Sequence, residues 1–140
     1  ILKGVMHADD AAAAVEAGVD GIILSNHGGR NLDSAIAPIR VLPEIADRVG
    51  SRTTILLDSG IMRGADIAKA IALGANGVLA GKATLFGVGA AGEAGAFRAF
   101  ELLTQELARV MTFSGAADLS QLTPDLLRIP ADFARIGGGK

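Results

Sequence analysis

Asp10-Ala-Ala-Ala-Ala-Val-Glu-Ala-Gly18-Val-Asp-Gly21-Ile22 and Asp66-Ile-Ala-Lys-Ala-Ile-Ala-Leu-Gly74-Ala-Asn-Gly77-Val78 are two copies of one pattern, offset by 56 residues. Each copy reads as a helix, a glycine that stops it, and the first residues of a strand. One more strand and one more helix lie between the copies. The repeat therefore spans two strand-helix units of about 28 residues each, the usual size of a βα unit.

The same alternation extends in both directions. Ile1 to Val5 is extended, and Asp9 and Asp10 open an Ala-rich helix that reaches Ala17. Gly21 to Leu24 is a buried strand, followed by a polar, glycine-rich stretch from Ser25 to Asp33. Pro38 to Val49 is a helix with Val41, Leu42, Ile45 and Val49 on one face. Thr53 to Leu57 is a strand, Gly64 to Leu73 a helix, and Gly77 to Ala80 a fourth strand. A longer helix is expected over about Gly92 to Phe113, carrying Phe97, Phe100, Leu103, Leu107 and Val110. From Ser114 the chain reads as irregular with one short helical piece, and residues 130–140 read as a flexible tail ending in Gly-Gly-Gly-Lys. Continuous apolar strands, each followed by a helix, imply a parallel sheet covered on both faces. Four units make half of a (β/α)8 TIM barrel, and an open four-stranded sheet is the competing architecture. The barrel is preferred because every polar cluster follows the C-terminal end of a strand, where barrel enzymes keep their chemistry. A half barrel alone leaves two sheet edges open. The expectation is a fragment, or a chain that pairs with a missing N-terminal half or with itself.

Composition narrows the function. In 140 residues there are 13 Lys and Arg against 15 Asp and Glu, a formal charge of -2. With a pI near 5.6 this is no footprint for nucleic acid. There is no cysteine, and there are two histidines, which excludes disulfides and thiol catalysis and gives no metal site. No apolar run is long enough to span a bilayer. With neither Tyr nor Trp, binding through an aromatic anchor or a base-stacking platform is disfavoured.

Three clusters carry chemistry. The first is Ser25-Asn26-His27-Gly28-Gly29-Arg30-Asn31-Leu32-Asp33. His27 is the side chain suited to taking a proton near neutral pH, and the Arg30 fork matches a carboxylate. Together they suit a small carboxylate substrate that must lose a proton, although an inert surface turn has the same residues. The second is Asp58-Ser59-Gly60-Ile61-Met62-Arg63-Gly64, and the third is Ala80-Gly81-Lys82-Ala83-Thr84. In barrels the last two such loops form phosphate sites from backbone N–H groups, to which Arg63 or Lys82 would add charge. Asp58 reads either as a helix cap or as an acceptor for sugar-like hydroxyls. Lys3, inside a strand, either faces solvent at an edge or points into the barrel mouth. His7 reads as a cap or surface residue, and Asp66, Lys69, Glu101, Glu106 and Arg109 as solvated helix faces.

The first cluster closely resembles the active-site signature of the FMN-dependent L-2-hydroxy acid dehydrogenases and oxidases, which include glycolate oxidase, L-lactate dehydrogenase and mandelate dehydrogenase. Lys3-Gly4-Val5, Asp58-Ser59-Gly60, Arg63-Gly64 with Asp66, the Ala70 to Ala75 stretch and Gly81 follow the same order and spacing. The resemblance runs over residues 1–129, as strands five to eight of that barrel with its C-terminal helices. It implies an oxidoreductase that converts an L-2-hydroxy acid (lactate, glycolate or mandelate type) to the 2-oxo acid. It implies His27 as general base and Arg30 as the carboxylate clamp. FMN would be held by Lys3 near its N1 and O2 atoms, by Ser25, by Asp58 at the ribityl hydroxyls, by Ser59, and by Gly60, Arg63, Gly81 and Lys82 around the phosphate. It further implies a homo-oligomer, often a tetramer, located in the cytoplasm and in some relatives peripheral at the inner face of the membrane. The alternative is a non-catalytic half barrel that binds FMN or another phosphate and self-associates.

The chain departs from the family pattern at two places. Met62 and Lys82 stand where arginines normally hold the FMN phosphate. Methionine removes the charge, and lysine keeps a point charge without the bidentate fork. Each lost charge-assisted hydrogen bond costs about 1.5–3 kcal/mol, or about one to two decades in affinity, so weaker FMN binding is predicted. Asn31 in place of glutamine is a milder change. In the family a tyrosine at the substrate and an aspartate that orients the histidine come from the first four strands. These 140 residues alone are therefore expected to be inactive.

Overall fold

The computed structural model describes residues 1–131 and 133. Its main elements are β1 (Leu2–Val5), α1 (Ala8–Glu16), β2 (Gly21–Leu24), α2 (Pro38–Val49), β3 (Thr54–Leu57), α3 (Gly64–Ala72), β4 (Gly77–Val78) and α4 (Lys82–Ser114). All strand pairs are parallel, and the order across the sheet is β1-β2-β3-β4. A doubly wound open sheet would break that order at a switch point. An unbroken order with right-handed crossovers puts every helix on one face and leaves the other as a barrel wall. Most of the remaining tail, residues 132 and 134–140, lies outside the described residues.

The two faces differ in composition. Ile22, Leu24, Ile55 and Leu57 are fully buried against Ala11, Leu42 and Ile45 on the helix side. Lys3, Ile23, Leu56 and Gly77 align across the sheet as the opposite row. The polar end of that face is where the chemistry gathers.

The duplicated pattern produces duplicated geometry. The Gly18 N–H donates to the Val15 carbonyl and the Val19 N–H to Ala14, at 2.9 and 3.3 Å. In the second copy Gly74 donates to Ile71 and Ala75 to Ala70, both at 3.0 Å. These are paired Schellman closures, and both glycines have the positive φ that the motif demands (85° and 106°). His7 caps α1, its Nδ1 accepting the Asp9 N–H at 3.2 Å, in line with the cap reading.

Two element boundaries differ from the sequence reading. The fourth strand is only Gly77–Val78, and the last helix begins at Lys82 instead of Gly92. The glycines at 87, 89, 92 and 95 hid the helical stretch 82–90. The backbone leaves helical geometry at Ala91 and Gly92, with φ of −154° and 57°. There the chain doubles back, and the Gly87 and Gly95 backbones meet so closely that neither position has room for a Cβ. These glycines serve a helix crossing. The predicted apolar face of α4 is only half used. Leu103 is buried and Leu107 and Val110 pack beside Ala68 and Ala72, whereas Phe97 and Phe100 are exposed.

Candidate functional site

Lys3 of β1 and the loops after β2, β3 and β4 line a cavity of about 960 Å³. Lys3, His27, Arg30, Asp58, Ser59, Gly60, Gly81 and Lys82 all line it. Two sequence-predicted residues are not on its wall. Ser25 is buried just behind it (1% exposed), and Arg63 turns away.

Lys3 decides between its two readings. Its Nζ lies 2.6 Å from Asp58 Oδ2 and donates to Ser25 Oγ at 2.8 Å. It is a cavity lysine, tolerated in the strand because it keeps access to water at the cavity mouth and gains the ion pair and the hydroxyl. Asp58 is correspondingly not a helix cap. Burial would raise the Asp58 carboxyl, but hydrogen bonds from Lys3, Ser25 and Ser59 and the Lys3 charge outweigh it and hold the group below the usual carboxylate range. A carboxylate depressed in the fold contributes stability above its unfolded value near 4, and that contribution is lost as pH falls through the folded value. The melting temperature is therefore expected to fall below about pH 4, and Lys3→Met should flatten this part of the profile in a thermal titration.

His27 sits on a turn that few residues would accept. Its own φ is 58°, and Gly28 and Gly29 follow at 71° and 73°. The turn is held through its backbone. The His27 N–H donates to Ser25 Oγ at 3.1 Å, and the Gly28 N–H donates to Asn26 Oδ1 and Ser59 Oγ at 3.0 and 3.1 Å. A bulge at Gly4 lets the imidazole lie over β1, since a Cβ there would stand 3.3 Å from His27 Cε1. Among the described residues neither the His27 imidazole nor the Arg30 guanidinium has a hydrogen-bond or ion-pair partner, and both are exposed to the cavity. A proton acceptor and a carboxylate fork are thus left free on one short turn.

The phosphate end differs from expectation. Arg63 is the cap residue of α3, and its guanidinium pairs with Glu106 at 2.7 Å. Glu106 also accepts the Gly64 N–H at 2.9 Å, and Asp66 accepts the Met62 and Arg63 N–H groups at 3.1 and 3.0 Å. Glu106 and Asp66, read as solvated faces, instead cap the start of α3, Glu106 at its first N–H and Asp66 at the cap residue and the one before it. The Gly64 N–H and then Arg63 hold Glu106 below the ordinary glutamate value. This demand for caps takes Arg63 out of the cavity. Lys82 Nζ reaches the Gly28 carbonyl oxygen at 3.4 Å, so the cation at the start of α4 rests on the histidine turn. Thr84, the last residue of the third cluster, also lines the cavity and donates back to the carbonyls of Ala80 and Gly81.

The chain is similar to known proteins in sequence and in fold. An L-lactate dehydrogenase of Caulobacter vibrioides is 42% identical over 132 residues, covering 93% of this chain and 34% of the relative. A pre-mycofactocin synthase of Mycolicibacterium smegmatis is 44% identical over 138 residues, covering 99% and 35%. The crystal structure of (S)-mandelate dehydrogenase, a monotopic membrane protein, superposes with a TM-score of 0.86 at 46% identity, over 90% of this chain and 33% of that one. The chain spans about a third of the length of the relatives it matches, and its four βα units are part of a TIM barrel. The family model described as FMN-dependent dehydrogenase matches residues 1–129, and this chain belongs to that family.

Proposed function

We propose that the protein carrying this chain oxidises an L-2-hydroxy acid to the 2-oxo acid with bound FMN. The observation that carries the reading is the placement of two unpaired groups, His27 and Arg30, in the cavity that also holds the Lys3–Asp58 pair. A protein that only bound a phosphate would need neither. The lactate and mandelate dehydrogenases among its relatives support the same reading and do not favour a non-catalytic half barrel.

The residues present fit FMN. The cavity lies within the size range of cofactor sites. Lys3 supplies a cation where an electron-rich ring would gain charge on reduction, and Asp58 supplies an acceptor for ribityl hydroxyls. Gly60, after β3, and Gly81, at the N-terminal end of α4 where an anion is favoured, leave backbone open to the cavity. Bound FMN supplies the two-electron acceptor. The protein's own share is to hold the substrate carboxylate on Arg30 and to take a proton from the substrate at His27. Ser25 acts from behind, by fixing Lys3. Arg63 contributes in the fold of α3 and not at the phosphate. Peripheral attachment at the inner face of the membrane, in the cytoplasm, is part of the proposal, on the strength of the monotopic relative.

The test is anaerobic mixing of the FMN-loaded enzyme with L-lactate or (S)-mandelate. Loss of the oxidised flavin absorbance and appearance of the 2-oxo acid are expected. A flavin that stays oxidised with every L-2-hydroxy acid would overturn the reading. Arg30→Met should raise KM by one to two decades through loss of about 1.5–3 kcal/mol of charged hydrogen bonding; steady-state kinetics with an unchanged KM would remove Arg30 from the carboxylate.

A further inference from the structure

Ser59 is one of two residues other than glycine with positive φ among the described residues, at 68°; the other is His27. A left-handed serine is costly and persists where its surroundings require it. What requires it is its hydroxyl. Ser59 Oγ donates to Asp58 Oδ1 at 2.7 Å and accepts the Gly28 N–H at 3.1 Å. On the other side of the His27 Cα, the His27 N–H donates to Ser25 Oγ, which in turn accepts from Lys3. The two peptide N–H groups that flank the His27 Cα are therefore each held by a serine hydroxyl. Each serine is bonded to one partner of the Lys3–Asp58 ion pair.

We propose that Ser59 is a positioning residue for His27, acting through the Gly28 N–H to lock the histidine turn to the Lys3–Asp58 pair. The hydroxyl has one proton, and Asp58 takes it; its lone pair is then directed to Gly28. Its proton and one lone pair are thus both engaged inside the protein, in the scaffold beneath the base. The inference rests on the reading of His27 as the base.

The test compares Ser59→Gly and Ser59→Asn in the FMN-loaded enzyme. Glycine relieves the backbone and removes the hydroxyl, whereas asparagine tolerates left-handed φ and restores an acceptor. If Ser59 positions His27, Ser59→Gly keeps its melting temperature and FMN content but exchanges the amide hydrogens of residues 25–30 about tenfold faster. Its kcat falls about tenfold with KM nearly unchanged, and Ser59→Asn recovers most of both. Unchanged exchange overturns the proposal, because the bond then holds nothing. Faster exchange with unchanged kcat also overturns it, since the bond would be structural only, and so does a rise in KM alone. If the wild type oxidises no hydroxy acid, the functional reading fails first, and the base that Ser59 was proposed to position goes with it. Exchange then reports only whether the serine holds the turn.

Discussion

Replacing His27 by glutamine is expected to lower kcat of the FMN-loaded enzyme by about 10²–10⁴-fold. Glutamine approximates the length of histidine and keeps its hydrogen bonding, but it cannot take a proton near neutral pH. The turn should survive, because Ser25, Asn26 and Ser59 hold it through backbone N–H groups that the substitution leaves in place. The Lys3–Asp58 pair and Gly60 are likewise untouched, so flavin absorbance should show full loading. Turnover at saturating substrate measures the effect. A loss of less than about tenfold would take the base away from His27.

Gly64→Ala is expected to damage the fold severely. The Cβ would land on the Leu107 backbone nitrogen and the Glu106 carbonyl carbon. Backbone cannot step aside as a flexible side chain can, so α3 and α4 would have to separate. That separation would also pull Glu106 from the Gly64 N–H and from Arg63. Alanine gains about 1 kcal/mol of helix propensity over glycine, but overpacking of this kind costs about 3 kcal/mol or more. The net effect is a melting temperature lower by about 10 °C in thermal unfolding followed by circular dichroism. Gly18→Ala is the control. A Cβ at Gly18 meets nothing, so only the positive φ is charged, at about 1 kcal/mol.

The parts of this protein that repeat were legible in its sequence. Gly18 and Gly74 announced their helix ends, and α2 buries the face that Val41, Leu42, Ile45 and Val49 define. The cavity was legible because its residues follow strand ends, and eight of the ten predicted site residues line it. What escaped depends on contacts between distant segments. Glu106 and Arg63 are separated by more than forty residues, and nothing local in either tells that one caps the other. The helical stretch 82–90 escaped for a related reason. Its glycines depress local propensity, and only the crossing with Gly95 explains them. The hydrogen bonds of Ser25 and Ser59 to the histidine turn also escaped, since they join segments more than thirty residues apart in the case of Ser59 and run to backbone N–H groups in both.

The unbroken strand order has a consequence for how the protein is made. Leu2 pairs with Ile22, Gly21 with Thr54 and Leu56 with Gly77, so each strand docks on the one synthesised just before it. Among these four strands each pairing closes only one βα unit, so loop-closure costs stay small and similar at each of these steps. The nascent chain can therefore add one βα layer at a time as it leaves the ribosome. The Lys3–Asp58 pair would form as soon as the third strand emerged, well before α4 closes the phosphate end of the cavity. The charged centre of the site is thus an early product of synthesis, and the groups that receive the rest of the cofactor arrive last.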